Sequence, residues 1–578
     1  MKKFCDLKSR NDLASYLGIS KSNLAYVLYK KKVESFYTSF EIQKKGGGTR
    51  QIRAPKGSLK YIQECLANSL SQYQKSIRLE KHINSNISHA FEKGKSIITN
   101  AEIHRNKYVV LNLDLNGFFE SFHFGRVMGY FEKNRDFNLP HEVAVVLAQL
   151  ACFNGCLPQG SPCSPIISNL MCQILDMRIL KLAKRYKLDY TRYADDLTFS
   201  TNNRSFVEHL ESFQEEIEAE INRAGFTINH KKTRMFIRNF RQEVTGLVVN
   251  KKININAQYY RVTRAMANHL YTKGSFVVDG REGSIASLEG RFAFINQLDK
   301  YNNRIDGEVH DFRRLNGREL QYRKFLFYKY FYANDRPMIV TEGKTDIRYI
   351  KSALKKLYKE YPNLIEKRDD GFRFKVSFLR RTKRLQYFFG ISLDGADTIK
   401  NIYYYYSDSK DKAFINYHEW FSKNSSMQSK HPVILLFDNE INNNAKPLSK
   451  FLGSTKIRED RKEELKKQLS IRLVDNSNLY LATNPLVNNM DECEIEHLFK
   501  QVTLEHQIDG RTFMLKDKYD VSKHYGKEIF SQYISQNYEQ IDFSGFRGLL
   551  DTISGIVSQY TIDTICMCPP SNSCAEGL

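Results

Sequence analysis

Two adjacent aspartates, Asp195 and Asp196, follow Tyr193 and Ala194 between LeuAspTyrThrArg and LeuThrPheSerThr, and these flanks predict a β-hairpin with the acids at its turn. A turn uses at most one such side chain, and neighbouring carboxylates repel, so the pair calls for a cation. Upstream, TyrValValLeuAsnLeuAspLeu at 108–115 reads as a buried strand ending near a third acid, Asp114. Such carboxylates can hold two divalent ions roughly 3.5–4 Å apart, which activate an attacking hydroxyl and stabilise a leaving pyrophosphate in line. A second acidic set lies further on. ProMetIleVal at 337–340 leads into Glu342, and ValIleLeuLeuPhe leads into Asp438-Asn439-Glu440. Side chains two apart on an extended chain share a face, so Asp438 and Glu440 can point together at a metal near Glu342.

Between the first acids, LeuProGlnGlySerProCysSerPro at 157–165 is a turn-rich loop entering a helix near Ile166, where close backbone approach would let Gln159 and Gly160 meet a base pair and an incoming nucleotide. This order of motifs resembles the palm of reverse transcriptases over residues 36 to 330. The resemblance implies an α+β right hand of fingers, palm and thumb, with two magnesium ions on catalytic Asp114, Asp195 and Asp196 and deoxynucleoside triphosphates as substrates. It also implies that Phe119 is the gate against a 2′-hydroxyl, and that Lys231 or Lys232, in GlyPheThrIleAsnHisLysLysThr, neutralises phosphate charge. Arg50 and Arg53 after the glycine turn would hold the nucleotide's phosphates. The alternatives are a core aromatic at Phe119 and a solvated basic hairpin at the arginines.

Asn100-Ala101-Glu102-Ile103-His104 and Val244-Thr245-Gly246 resemble the two signatures of retron reverse transcriptases. Asn100 and His104 stand one helical turn apart and could form a polar face, while Thr245 and Gly246 permit close approach of an RNA backbone; a helix cap and a strand-ending turn are the plainer readings. Membership would imply binding of a cognate structured noncoding RNA, priming from a guanosine 2′-hydroxyl in it, a branched RNA-linked single-stranded DNA product (msDNA), and a role in antiphage defence.

The second acidic set resembles the α/β Toprim domain, with Gly395 at the glycine between its acidic motifs and Glu496 as an additional acid. That resemblance implies a magnesium-dependent nuclease, with Glu342 as general base or metal ligand and Asp438 and Glu440 as magnesium ligands. The family's second motif ends in Asp where this chain has Glu440, so a folded domain that binds without cutting is the alternative.

These sites need elements to hold them. A chain of 578 residues is too long for one core and predicts several domains. Its 88 Lys and Arg against 65 Asp and Glu, with 13% aromatic residues, point to a polyanionic partner. We expect an N-terminal helical extension over 1–35, fingers and palm over 36–250, a basic helical thumb over 251–334, a Toprim-like domain over 335–560 and a disordered tail over 561–578. Ser20 would cap the second of two short helices at 11–30; these resemble a helix-turn-helix, but no dimer signal accompanies them, which favours a packed extension over DNA reading. No export signal or membrane span is evident, so a bacterial cytoplasmic location without membrane is expected. Cys152, Cys156 and Cys163 lack a nearby histidine and read as packing thiols. A homo-oligomer or nucleoprotein assembly is a further expectation. Two other functions compete: a group II intron-like reverse transcriptase or maturase, whose Cys/His-rich endonuclease segment is missing, and an RNA-binding scaffold with an inactive Toprim domain.

Overall fold

ValValLeuAsnLeuAspLeuAsn, rich in β-branched and leucine side chains, forms the central strand of a sheet, Val109–Asn116. The computed structural model describes residues 4–44, 47–82, 86–278, 280–487, 490–515 and 518–566, and its packing divides the chain into two units, 1–257 and 258–578.

The strands of the first unit are β1 (Tyr37–Gln43), β2 (Thr49–Pro55), β3 (Val109–Asn116), β4 (Asp189–Tyr193), β5 (Asp196–Thr201), β6 (Thr227–Ile228), β7 (Arg234–Ile237), β8 (Glu243–Val244) and β9 (Leu247–Val248). β4, β5, β3 and β6 form one antiparallel sheet in that order, and β7 also pairs with β3. β1 and β2 form a separate hairpin. Leu111, Leu113, Leu197 and Phe199 of the sheet share a core with Leu59, Ile62 and Leu66 of the helix Gly57–Glu80, and with Ile167, Leu170 and Ile179 of the helix Ser164–Arg185. Each such side chain removed from water contributes about 1.5–3 kcal/mol.

The N-terminal helices join this same core. Ser20 caps the second of them through the Asn23 amide, and Leu13, Leu17, Leu24 and Val27 are buried. They pack against the first unit's core.

In the second unit, the helices Ala257–Lys273, Ile285–Ile305 and Gly317–Phe327 precede a five-stranded sheet. Its order is Ser377–Phe378, Met338–Val340, Val433–Phe437, Leu479–Thr483 and Ser470–Arg472; the first four strands are parallel and the last is antiparallel. Parallel strands need cover on both faces, and alternate residues provide it. Val340, Val433 and Leu435 pack with Phe292, Tyr322 and Phe325 of the helices, whereas Ile339, Ile434 and Leu436 pack with Tyr349, Phe499 and Phe530. The turn at 333–337 therefore changes chain direction without separating two cores, and the expected boundary at 334 is not a packing boundary. The expected tail is also revised: the helix Arg547–Cys566 runs through 561–566, and 567–578 lie outside the described residues.

Candidate active sites

β3 and β5 pair in a register that sets Asp114 opposite Asp196, and the Leu115 amide donates to the Asp195 carbonyl at 3.0 Å. The hairpin thus delivers all three acids to one strand end. Burial, then the adjacent Asp195 and Asp114, raise the Asp196 carboxyl to about 7; burial and Asp114 also raise Asp195. Lys232 Nζ donates to both Asp114 oxygens at 3.0 and 2.9 Å, while Lys231 is exposed and contributes its carbonyl to Arg234. The structure selects Lys232 as the lysine at the acids. Among the described residues no three His, Cys, Asp or Glu side chains stand as a ready metal cage, and Asp114 is turned to Lys232. The donor set still suits a hard divalent cation: it is all oxygen, and burial together with mutual repulsion raises the proton affinity of Asp195 and Asp196, which a cation would offset.

The glutamine loop lies against β2. Arg53 N donates to the Gln159 carbonyl at 2.7 Å, and a Cβ on Gly160, at φ +114°, would meet the Arg53 carbonyl at 2.8 Å, so only glycine fits there. The Arg53 guanidinium lies over Phe153 at 5.2 Å and bonds Gln51 at 3.0 Å, and exposed Arg50 lowers the proton affinity of Asp195. Phe118 is the core aromatic, stacked on Phe226 at 5.9 Å, and Phe119 is only half-buried.

Sequence reasoning missed the support beneath the acids. Ala194 occupies the left-handed region at φ 56°, a strain on the order of 1 kcal/mol, and buried Arg192 Nη1 donates to its carbonyl at 3.3 Å. Arg192 is held by Asp176 through two bonds of 2.8 Å, with Asn169 at 3.2 Å. Burial and Tyr190, which bonds Asp176 at 3.0 Å, complete this network. The helix that follows the glutamine loop thereby fixes the turn that carries the acids. An apolar hairpin with one arginine facing inward was the available signal.

Three expected RNA contacts are corrected. Asn100 and His104 have no exposed surface. His104 joins Ser200 and Thr191 at 2.7 Å each, tying β5 to β4, and burial lowers its pKa to about 3, so it is a neutral core side chain. Val244 is also fully buried. Thr245 (φ 47°) and Gly246 (φ 79°) form the two-residue turn between β8 and β9, packed near the helix Ile97–Ile103, with the Thr245 hydroxyl 3.5 Å from the Ile97 carbonyl. Only these two of the five reach the surface.

In the second unit the parallel pairing of Met338–Val340 with Val433–Phe437 brings Glu342 and Asp438 to the carboxyl ends of neighbouring strands, the usual place for a site in an open α/β sheet. The Asp438 amide donates to Glu342 at 2.9 Å, and Asp438 Oδ1 accepts from Asn484 at 2.7 Å and from the Ile495 amide at 2.9 Å. Burial, Asp346 and Glu440 raise Glu342 to about 8; burial, Glu342, Asp346 and Glu496 raise Asp438 well above the usual range. Glu440 does not simply share a face with Asp438: it is buried against Lys446 at 2.6 Å. Asp346, in the first turn of the helix Lys344–Lys356 and not among the expected site residues, accepts from the Gly343 amide at 2.8 Å, and buried Glu496 accepts from Lys527 at 3.1 Å. Gly395 (φ +81°) gives its carbonyl to Arg381, which also bonds the Glu342 carbonyl at 2.9 Å.

Residues 42–260, which lie almost wholly in the first unit, match the family model described as reverse transcriptase (RNA-dependent DNA polymerase). Among curated proteins, the chain is 35% identical over 337 residues to the retron Mx162 reverse transcriptase of Myxococcus xanthus, covering 52% of this chain and 66% of that protein. It is 31% identical over 301 residues to the retron Ec86 reverse transcriptase of Escherichia coli, covering 52% of this chain and 87% of that protein. The chain belongs to the retron reverse transcriptase family. A telomerase from Candida albicans aligns with 51% of this chain and 60% of its own at 11% identity and a TM-score of 0.30. No helix among the described residues is long and apolar enough to cross a membrane.

Proposed function

We propose that the chain copies a cognate structured noncoding RNA into DNA, priming from a 2′-hydroxyl in that RNA to give branched, RNA-linked single-stranded DNA. The observation that carries the polymerase part is the convergence of Asp114, Asp195 and Asp196 on one strand end beside Lys232. Asp114, Asp195 and Asp196 would hold magnesium, which when bound supplies charge stabilisation for phosphoryl transfer. Lys232 adds a fixed positive charge where a triphosphate's charge would develop, and Arg50 and Arg53 on the β1–β2 hairpin suit its outer phosphates. Gln159 and Gly160 would bring backbone close to the pairing bases, and half-buried Phe119 would act as the gate against a ribose 2′-hydroxyl. Of the RNA-recognition residues, Thr245 and Gly246 remain candidates for direct contact. A Gly-containing turn on the surface lets a phosphate backbone approach.

The second unit, in this proposal, is a Toprim effector with magnesium-dependent nuclease activity in antiphage defence. Glu342 and Asp438 at adjacent parallel strand ends support it, with Asp346 and Glu496 added and Gly395 in place. The lysines bound to Glu440 and Glu496 favour a second reading, a domain that binds nucleic acid without cutting it. Sequencing the nucleic acid that copurifies with the full chain tests the proposal. DNA joined to RNA through a 2′ branch is expected; unbranched RNA alone would contradict it.

A further inference from the structure

The N-terminal helices bury one face and leave the other without an assigned role. Residues 21–30 start as an α-helix, Lys21–Ala25, and widen into a π-helical turn, Tyr26–Lys30, closed by the Lys31 amide on the Tyr26 carbonyl at 3.0 Å. Leu24, Val27 and Leu28 face the core. That packing turns two large aromatics outward, with Tyr26 38% and Tyr29 54% exposed. They line one open concavity with Ser22, Asn23 and Lys30.

Both rings are braced. The Arg10 guanidinium lies 5.3 Å over Tyr29, and Tyr26 meets Phe36 edge-on at 6.2 Å, with Lys31 Nζ 5.8 Å over Phe36. Lys21, Lys30, Lys31 and Lys32 are exposed and form no ion pair among the described residues. Fixed, exposed rings interleaved with unmatched positive charge are the chemistry that binds single strands: bases stack on the rings and the cations follow the phosphates. Neither a packed helix nor solubility requires two exposed tyrosines here. The Ser22 hydroxyl and Asn23 amide in the same concavity can bond a ribose 2′-hydroxyl, the group that separates RNA from DNA.

We propose that this outward face of residues 21–31 is a docking platform for single-stranded RNA, remote in sequence from the polymerase acids. The choice of RNA rests in part on the polymerase reading; the stacking and charge argument does not.

The test cross-links full-length protein to a short single-stranded RNA carrying photoreactive 5-iodouridine and maps the attached peptides. Cross-links are expected at Tyr26 or Tyr29. Tyr26→Ala with Tyr29→Ala should lower that yield at least about fivefold, the effect of losing one stacked base. Lys30→Gln with Lys31→Gln should make the dependence of log affinity on log salt shallower by about 1.4. Both double variants should extend a preformed primer on an RNA template as the parent does. Cross-links confined to other peptides, or undiminished binding in both variants, would overturn the platform, and equal cross-linking of the matching DNA would overturn its assignment to RNA. Retained primer extension alongside missing cross-links separates failure of the platform from failure of the polymerase reading, which would instead show as no extension by the parent.

Discussion

At the residue scale, the turn that carries Asp195 and Asp196 is braced by a buried charge pair, Arg192 with Asp176. Removing one member leaves the other charged and unsolvated, so Arg192→Met is expected to destabilise the first unit by about 3–5 kcal/mol, read as a shifted denaturant midpoint. An unchanged midpoint would show that Asp176 does not depend on Arg192. Lys232 gives the opposite pattern. Its side chain is 62% exposed, so Lys232→Met should leave stability within about 0.5 kcal/mol while lowering DNA synthesis at least tenfold, because the charge beside Asp114 is lost. Near-normal synthesis would remove Lys232 from the site. Asp114, Asp195 and Asp196 were legible in the sequence because adjacent acids in an apolar hairpin have no structural benefit. Arg192 and Asp176 were not, because a lone arginine and a helical aspartate resemble surface residues until the partners that bury them are known.

At the element scale, the seven-residue helix Ile97–Ile103 carries Asn100 and is capped by His104 four residues on, and that spacing alone does not say whether the shared face meets solvent or core. Here it meets the core, so their variants should affect folding rather than RNA affinity alone. The β8–β9 turn is where recognition can be tested. Thr245→Ala is expected to weaken priming on the cognate RNA severalfold while leaving extension of a generic primed template unchanged. Equal loss in the two assays would make the turn purely structural. Strand identities around Asp114 and Asp438 were legible from short apolar runs, and the approach of Glu342 to Asp438 was expected; the parallel register of Met338 with Val433 that produces it, and the turning of Glu440 to Lys446, were not legible.

At the scale of the whole molecule, both acid clusters make stability depend on pH in the same direction. Asp196 at about 7, Glu342 at about 8 and Glu496 at about 7 lie above their ordinary values, so the folded chain retains protons that the unfolded chain has released. Their contribution is complete below about pH 4 and is lost as pH rises through about 7 to 8. Melting in chelator should therefore fall from pH 5 to pH 8.5, and magnesium should raise it more at 8.5 than at 5; an equal rise would argue against ions at these acids. Each cluster belongs to its own unit, so Glu342→Gln should leave branched DNA intact on a gel while abolishing phage protection. Undiminished protection, with normal expression, would show that the second site is not the effector chemistry. The extent of the second unit was the least legible feature, since its thumb-like helices share a core with strands that follow a proline turn.

The most direct test of reverse transcription at Asp114, Asp195 and Asp196 is primer extension on an RNA template with magnesium and deoxynucleotides, comparing the parent with Asp195→Asn and monitoring melting of both. Full-length DNA is expected from the parent and none from the variant, with similar melting of both. Near-normal DNA synthesis by Asp195→Asn would contradict it.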